Sequence, residues 1–149
     1  MRAVIQKVEN SQVSVEGEVI SKISKGFMVL LAIKDTDTKE DLEYIKRKIA
    51  NLRIFEDEDG KLNLSLKDVG GEILLISQFT LYGDVRKGNR PSFTQSAKAS
   101  KADEYYRLMI EELEKEGLNV KTGKFQTHMK VSLINDGPVT ILLDSERIL

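Results

Sequence analysis

The chain has 149 residues, no cysteine, and a net charge of −1 built from 23 basic and 24 acidic side chains. That length fits one domain with room for a substantial core. The missing cysteine excludes disulfides, thiolate chemistry and cysteine-held zinc and suits a reducing cytoplasm, and the balanced charge excludes a protein that holds nucleic acid by bulk electrostatics.

The start Met1-Arg2-Ala3-Val4 lacks the long apolar stretch of a leader, and no segment reaches the length of a membrane span, so a soluble cytoplasmic protein is expected. Ala3 to Val8 reads as a strand, and Val13-Ser14-Val15, Gly17 and Val19-Ile20 read as a hairpin. Gly26 to Ile33 is nearly all apolar, which predicts a central strand buried on both faces. Thr38 with Asp41 can cap a helix over 38–51 whose Leu42, Ile45, Ile49 and Leu52 share a face. Ile54-Phe55 is a short strand, and Leu62, Leu64 and Leu66 alternate with polar residues. The acidic run Glu56 to Asp59 between them lacks the ligand spacing of a calcium loop and reads as a charged hairpin turn.

Gly70-Gly71 marks a turn, and a second mostly apolar strand is expected from Ile73 to Leu81. Residues 83–97 have no clear period and form a long loop. Ser100 with Asp103 opens a second helix with Ala102, Tyr105, Tyr106, Met109 and Leu113 as its apolar stripe, stopped by Gly117. Strands near 125–134 and 138–143 complete a single mixed α/β domain, with a largely antiparallel or barrel-like sheet and two helices.

Two strings interrupt apolar runs with polar or backbone-rigid residues: Ser77-Gln78-Phe79-Thr80-Leu81 and Asn135-Asp136-Gly137-Pro138-Val139-Thr140. The second reads as a tight turn between two strands, either a plain hairpin or a set of carbonyls with few local partners that can hold a ligand amine. Thr80, either an ordinary strand residue or a ligand-facing hydroxyl, would need a base to act as a nucleophile. The one histidine, His128, shares its strand's polar face with Lys130 and Ser132, and a solvent-exposed role is expected for it. Arg86, Lys87 and Arg90 are either phosphate contacts or a solvated loop, and Phe79, Phe93 and Phe125 either stack on a base or fill the core.

With Leu52-Arg53-Ile54-Phe55, Gly60-Lys61-Leu62-Asn63, Lys87-Gly88-Asn89-Arg90-Pro91-Ser92-Phe93 and Thr122-Gly123-Lys124-Phe125, these strings fall in the order and spacing of one family. Over essentially its whole length the chain resembles the D-aminoacyl-tRNA deacylases. The resemblance implies hydrolysis of the ester of D-aminoacyl-tRNA, and of glycyl-tRNA mischarged on tRNA(Ala), with no metal and no cofactor. It implies Ser77, Gln78, Phe79 and Thr80 at the reacting ester, with Phe125, Met129, Asn135, Arg86, Lys87 and Arg90 binding substrate. It further implies a homodimer with shared sites, in which a cis Gly137-Pro138 bond from one subunit enters the other's site and rejects L-amino acids. The implied partner is the 3′ end of an aminoacylated tRNA, without DNA or membrane; the alternative is a non-catalytic nucleic-acid-binding protein of the same fold. One departure stands out: Gln126-Thr127-His128-Met129 occupies a stretch where the family usually holds small residues.

Overall fold

The computed structural model describes residues 1–149. Strand β1 runs unbroken from Arg2 to Val15, turns at Glu16-Gly17, and returns as β2, Glu18–Ile23. The sequence suggests two pieces here because the buried positions change parity. Ala3 and Ile5 face the larger core, whereas Val8 and Val13 face a smaller one, and a register shift lies between Val8 and Asn10. β3, Gly26–Ala32, pairs antiparallel with the first half of β1 and is buried almost throughout.

Helix α1, Lys39–Asn51, starts as expected: the Thr38 N–H donates to Asp41 Oδ2 at 2.8 Å, and Leu42, Ile45 and Ile49 are buried. The hairpin of β4, Arg53–Glu56, and β5, Leu62–Ser65, follows. β6, Glu72–Ser77, adds parallel to β3. Their first pairing requires Gly26, since a Cβ there would sit 1.9 Å from the Glu72 carbonyl oxygen. Helix α2 spans Ala99–Lys115, with Lys98 rather than Ser100 at its cap, and Asp103 instead pairs with Arg107 at 3.0 Å. β7, Asn119–Thr122, lies parallel to β6, although its mixed polar sequence carries no strand signal. β8, Lys130–Asp144, pairs antiparallel with β1 along both halves.

The sheet order is β2-β1-β3-β6-β7, with β8 on the other edge of β1. Its ends approach each other: Ser21 Oγ donates to the Thr122 carbonyl at 2.6 Å and Lys121 Nζ to the Lys22 carbonyl at 2.9 Å, so a barrel-like sheet nearly closes through side chains. The main core includes residues of both helices and of the sheet, among them Phe27, Val29, Leu31, Ile73 and Leu75, and Phe27 stacks on Phe55 at 5.3 Å. Each such buried side chain contributes roughly 1.5–3 kcal/mol. No helix is long and apolar enough to cross a membrane.

Candidate active site

The strand expected to run to Leu81 ends at Ser77, because its neighbour ends there. Leu31 opposite Ser77 is the last pair with β3, the Gln78 N–H donates to the Leu31 carbonyl at 2.8 Å, and the chain then winds into a 3-10 helix, Phe79–Tyr82. Thr80 is therefore on an exposed helical turn rather than in a strand. Its hydroxyl accepts a hydrogen bond from Gln78 Nε2, which ties an amide and a hydroxyl together. Phe79 is 54% exposed and meets Phe93 edge-on at 5.1 Å.

Beside this helix opens a cavity of about 370 Å³. One wall is Ile76, Ser77, Gln78 and Phe79; another is Ala97 with Ala99 and Ala102 of α2; the third is the segment Phe125 to Met129 with Val131. Phe125 stacks on Tyr106 at 6.2 Å, and the buried Tyr106 hydroxyl donates to the Leu75 carbonyl at 2.6 Å, which fixes the cavity against β6. Desolvation pushes the Tyr106 phenol up, so it stays protonated as a donor. Residues 125–129 form a turn and linker rather than a strand, with Gln126 at φ 56°. His128 is exposed as expected, yet it lines the cavity together with Gln126 and Thr127. All three belong to the one stretch that departs from the resembling family, and that is the signal that marks them.

The second string is not a hairpin turn. Gln6 pairs with Thr140 and Val8 with Asn135, so Lys7 alone faces residues 136–139, which bulge out of a strand that continues on both sides. Asn135 clips the bulge: its Oδ1 accepts the Val139 N–H at 3.2 Å and its Nδ2 donates to Thr140 Oγ1 at 3.1 Å. The Gly137-Pro138 bond is cis and both residues are exposed. Gly137 sits at φ +125°, and a Cβ there would lie 2.7 Å from Val139 Cγ2. Behind the bulge, the Lys7 side chain is 1% exposed, with Nζ 2.6 Å from Glu56 Oε2 and 3.9 Å from Asp136 Oδ2. The hydrogen bond from Lys7 holds the Glu56 carboxyl below its ordinary range.

Of the residues singled out in the sequence, Ser77, Gln78, Phe79, Phe125 and Met129 line the cavity and Thr80 adjoins it on the helix. Asn135, Gly137 and Pro138 do not line it, nor do Arg86, Lys87 and Arg90. Those three occupy the exposed loop tip closed by mutual backbone hydrogen bonds of Asp84 and Ser92, at 2.8 and 2.9 Å. Arg86 folds back onto Asp84, 2.7 Å from Nη2 to Oδ2, and this pairing draws the Asp84 carboxyl down to about 2.

Residues 4–144 match the family described as D-Tyr-tRNA(Tyr) deacylase. The chain belongs to that family. A relative from Thermoanaerobacter sp. (strain X514), named D-aminoacyl-tRNA deacylase, is 60% identical over 148 residues, 99% of each chain. A solved structure titled "c-Myc DNA Unwinding Element Binding Protein" superposes with a TM-score of 0.91 at 47% identity, covering 97% of this chain and 98% of that one. Another, titled as a "probable eukaryotic D-amino acid tRNA deacylase", shares the fold at a TM-score of 0.83 and 17% identity, over 95% and 97%. As a member of a deacylase family the chain is a hydrolase. The single-domain barrel-like sheet with two helices is the deacylase fold.

Proposed function

We propose that this chain hydrolyses the ester joining a D-amino acid to the 3′ end of tRNA, and that it also clears glycine mischarged on tRNA(Ala). The observation that carries this reading is the arrangement within one chain of the deacylase family. A cavity walled by Ser77, Gln78 and Phe79 lacks the exposed Gly137-Pro138 bulge, which projects elsewhere. A volume of about 370 Å³ falls at the lower end of small-ligand sites and suits a terminal nucleoside or its aminoacyl group. Phe79 and Phe125 offer ring faces for the terminal base.

The chemistry asks for little beyond positioning. Water oxygen bonds to the ester carbonyl carbon, the ester C–O bond breaks, and the ribose oxygen leaves with a proton. A donor aimed at the carbonyl oxygen as it gains charge is worth about 3–4 kcal/mol. Gln78 and Thr80, already linked to each other, supply the amide and hydroxyl groups next to the cavity. The vicinal ribose hydroxyl of the substrate helps to place or activate the water. Thr80 acts near the scissile ester and need not form a covalent intermediate.

Selection by handedness falls to the bulge of a second copy. Its main-chain carbonyls grip the α-amino group and leave no room for an L side chain, whereas a D side chain points outward and glycine passes. Ile134 and Leu142, 51% and 54% exposed on β8 to either side of the bulge, provide apolar surface for that second copy to cover. Arg86, Lys87 and Arg90 meet the acceptor-end phosphates, and the whole operates in the cytoplasm.

The deciding assay follows D-tyrosyl-tRNA and L-tyrosyl-tRNA side by side, in chelator, with the wild-type chain and His128→Ala. Rapid loss of the D ester alone, in both proteins, is the expected result. Loss of activity in His128→Ala would restore a hydroxyl-nucleophile route through that imidazole. Equal slow loss of both esters would favour a non-catalytic nucleic-acid-binding protein, the reading to which the likeness to the c-Myc DNA-element binding protein lends its weight. Mixing Thr80→Val with Pro138→Ala, each far below wild-type activity alone, is expected to regain activity once subunits exchange. Two folded dimers that exchange without recovery would refute shared sites.

A further inference from the structure

We propose that Arg2 is a positioning residue for the reaction, a strut that sets the 3-10 helix Phe79–Tyr82 at its angle to the cavity. The inference rests on the reading of that helix as the element facing the ester. A helix of a single turn has little stability of its own, because nucleation fixes several residues for one hydrogen bond. Its place is decided by what its carbonyls meet.

Those carbonyls are held one by one. Phe79 O accepts from Ser96 Oγ at 3.1 Å, Thr80 O from the Gly83 N–H at 2.9 Å, and Leu81 O from Arg2 Nη1 at 3.0 Å. Among these donors only Arg2 is charged, so its bond is charge-assisted. It also comes from the far end of the chain, out of the β1 ladder.

The other side of the guanidinium is anchored in the sheet. Arg2 Nε donates to Asp144 Oδ2 at 2.8 Å, and Arg2 and Asp144 are direct partners in the β1–β8 ladder. The Asp144 carboxylate is fully buried, and its second oxygen accepts the Glu146 N–H at 2.8 Å, so it cannot swing away. The guanidinium carbon lies 4.6 Å from the centroid of the Tyr82 ring, which closes the last turn of the helix. One planar group thus joins a fixed carboxylate on β8 to a carbonyl and a ring on the helix. A lysine ammonium, a compact point charge, cannot reproduce that fork and stack. The Arg2 side chain itself remains 29% exposed, so a shorter side chain there leaves no deep void.

The test compares Arg2→Gln, Arg2→Lys, Thr80→Val, Phe79→Ala and the double variant Arg2→Gln/Thr80→Val on D-tyrosyl-tRNA, well below their melting temperatures. Arg2→Gln is expected to lower kcat about tenfold or more with KM changed less than about twofold, and Arg2→Lys to fall between it and wild type. The double variant should lose no more than Thr80→Val alone, because both changes act through one helix. Amide hydrogens of Leu81, Tyr82 and Gly83 should exchange faster in Arg2→Gln while those of β3 keep their protection. Wild-type kcat in a folded Arg2→Gln would overturn the proposal, and if that variant does not fold, wild-type kcat in Arg2→Lys would do so. Thr80→Val and Phe79→Ala at full activity would overturn the reading of the helix itself, and the role of Arg2 with it.

Discussion

The 3-10 helix Phe79–Tyr82 and the bulge at residues 136–139 both break an apolar strand run, but one ends its strand and the other stays inside one. At Ser77 the neighbouring strand β3 runs out of pairs, so the backbone must find new partners, and it takes them from Leu31, Ser96 and Arg2. At Asn135 the neighbour β1 continues, so the ladder resumes at Thr140 and the extra residues are pushed outward. The contrast shows that a polar string signals an interruption, while the adjacent strand decides its form. It also separates two kinds of candidate site component: a helix held from several sides against a cavity, and an exposed loop of main chain clipped at its base.

Three substitutions would break or sharpen that contrast, and the largest effect belongs to the bulge. Gly137→Ala places a Cβ 2.7 Å from Val139 Cγ2 at φ +125°, so the exposed carbonyls must shift. Deacylation of the D ester is expected to fall about 100-fold, the scale of an ångström misplacement, while the fold survives a strain cost of about 1–3 kcal/mol, since residues 136–138 are exposed. A side-by-side assay and thermal melt check both halves; loss of fold would show that the bulge is part of the core after all.

Asn135→Ala comes next. It removes the acceptor for the Val139 N–H and the donor to Thr140 Oγ1 and should cost about 1–2 kcal/mol in urea unfolding. A looser bulge should also raise the rate on the L ester relative to the D ester. An unchanged ratio would mean that the clip serves stability alone.

The smallest effect is expected at Glu56→Gln, and it depends on pH. The Lys7 hydrogen bond lowers the folded-state carboxyl below its ordinary 4.5. The ionised pair therefore stabilises the fold fully above that value and loses its contribution as pH falls through the lowered folded one. Melting temperatures of wild type and variant should differ at neutral pH and converge in acid. A gap that persists into acid would assign the contact to packing rather than charge.

Much of this was legible in the residues. The cap at Thr38 and Asp41, the stripe of Leu42, Ile45 and Ile49, and the doubly buried Gly26 to Ala32 were fixed by local pattern alone. Less so were the edges. β7 carries only Val120 as an aliphatic residue and forms because β6 offers it a free parallel edge. The Phe125 to Met129 stretch alternates as a strand would, yet it turns at Gln126 and delivers His128 to the cavity. Arg2 gives no sign of its reach to Leu81, since that contact spans the whole of the first half of the chain.

The sequence by itself determined the elements whose signal is periodic and local, namely two amphipathic helices, the first of them with its cap, and the buried strands, together with the two strings that interrupt apolar runs. Only the tertiary structure decided where strands stop, which residues wall the cavity, and that Gly137-Pro138 stands outside it. The physical reason is that a helix closes its hydrogen bonds within itself, whereas a strand end, a bulge or a cavity wall is set by partners that the chain brings from elsewhere.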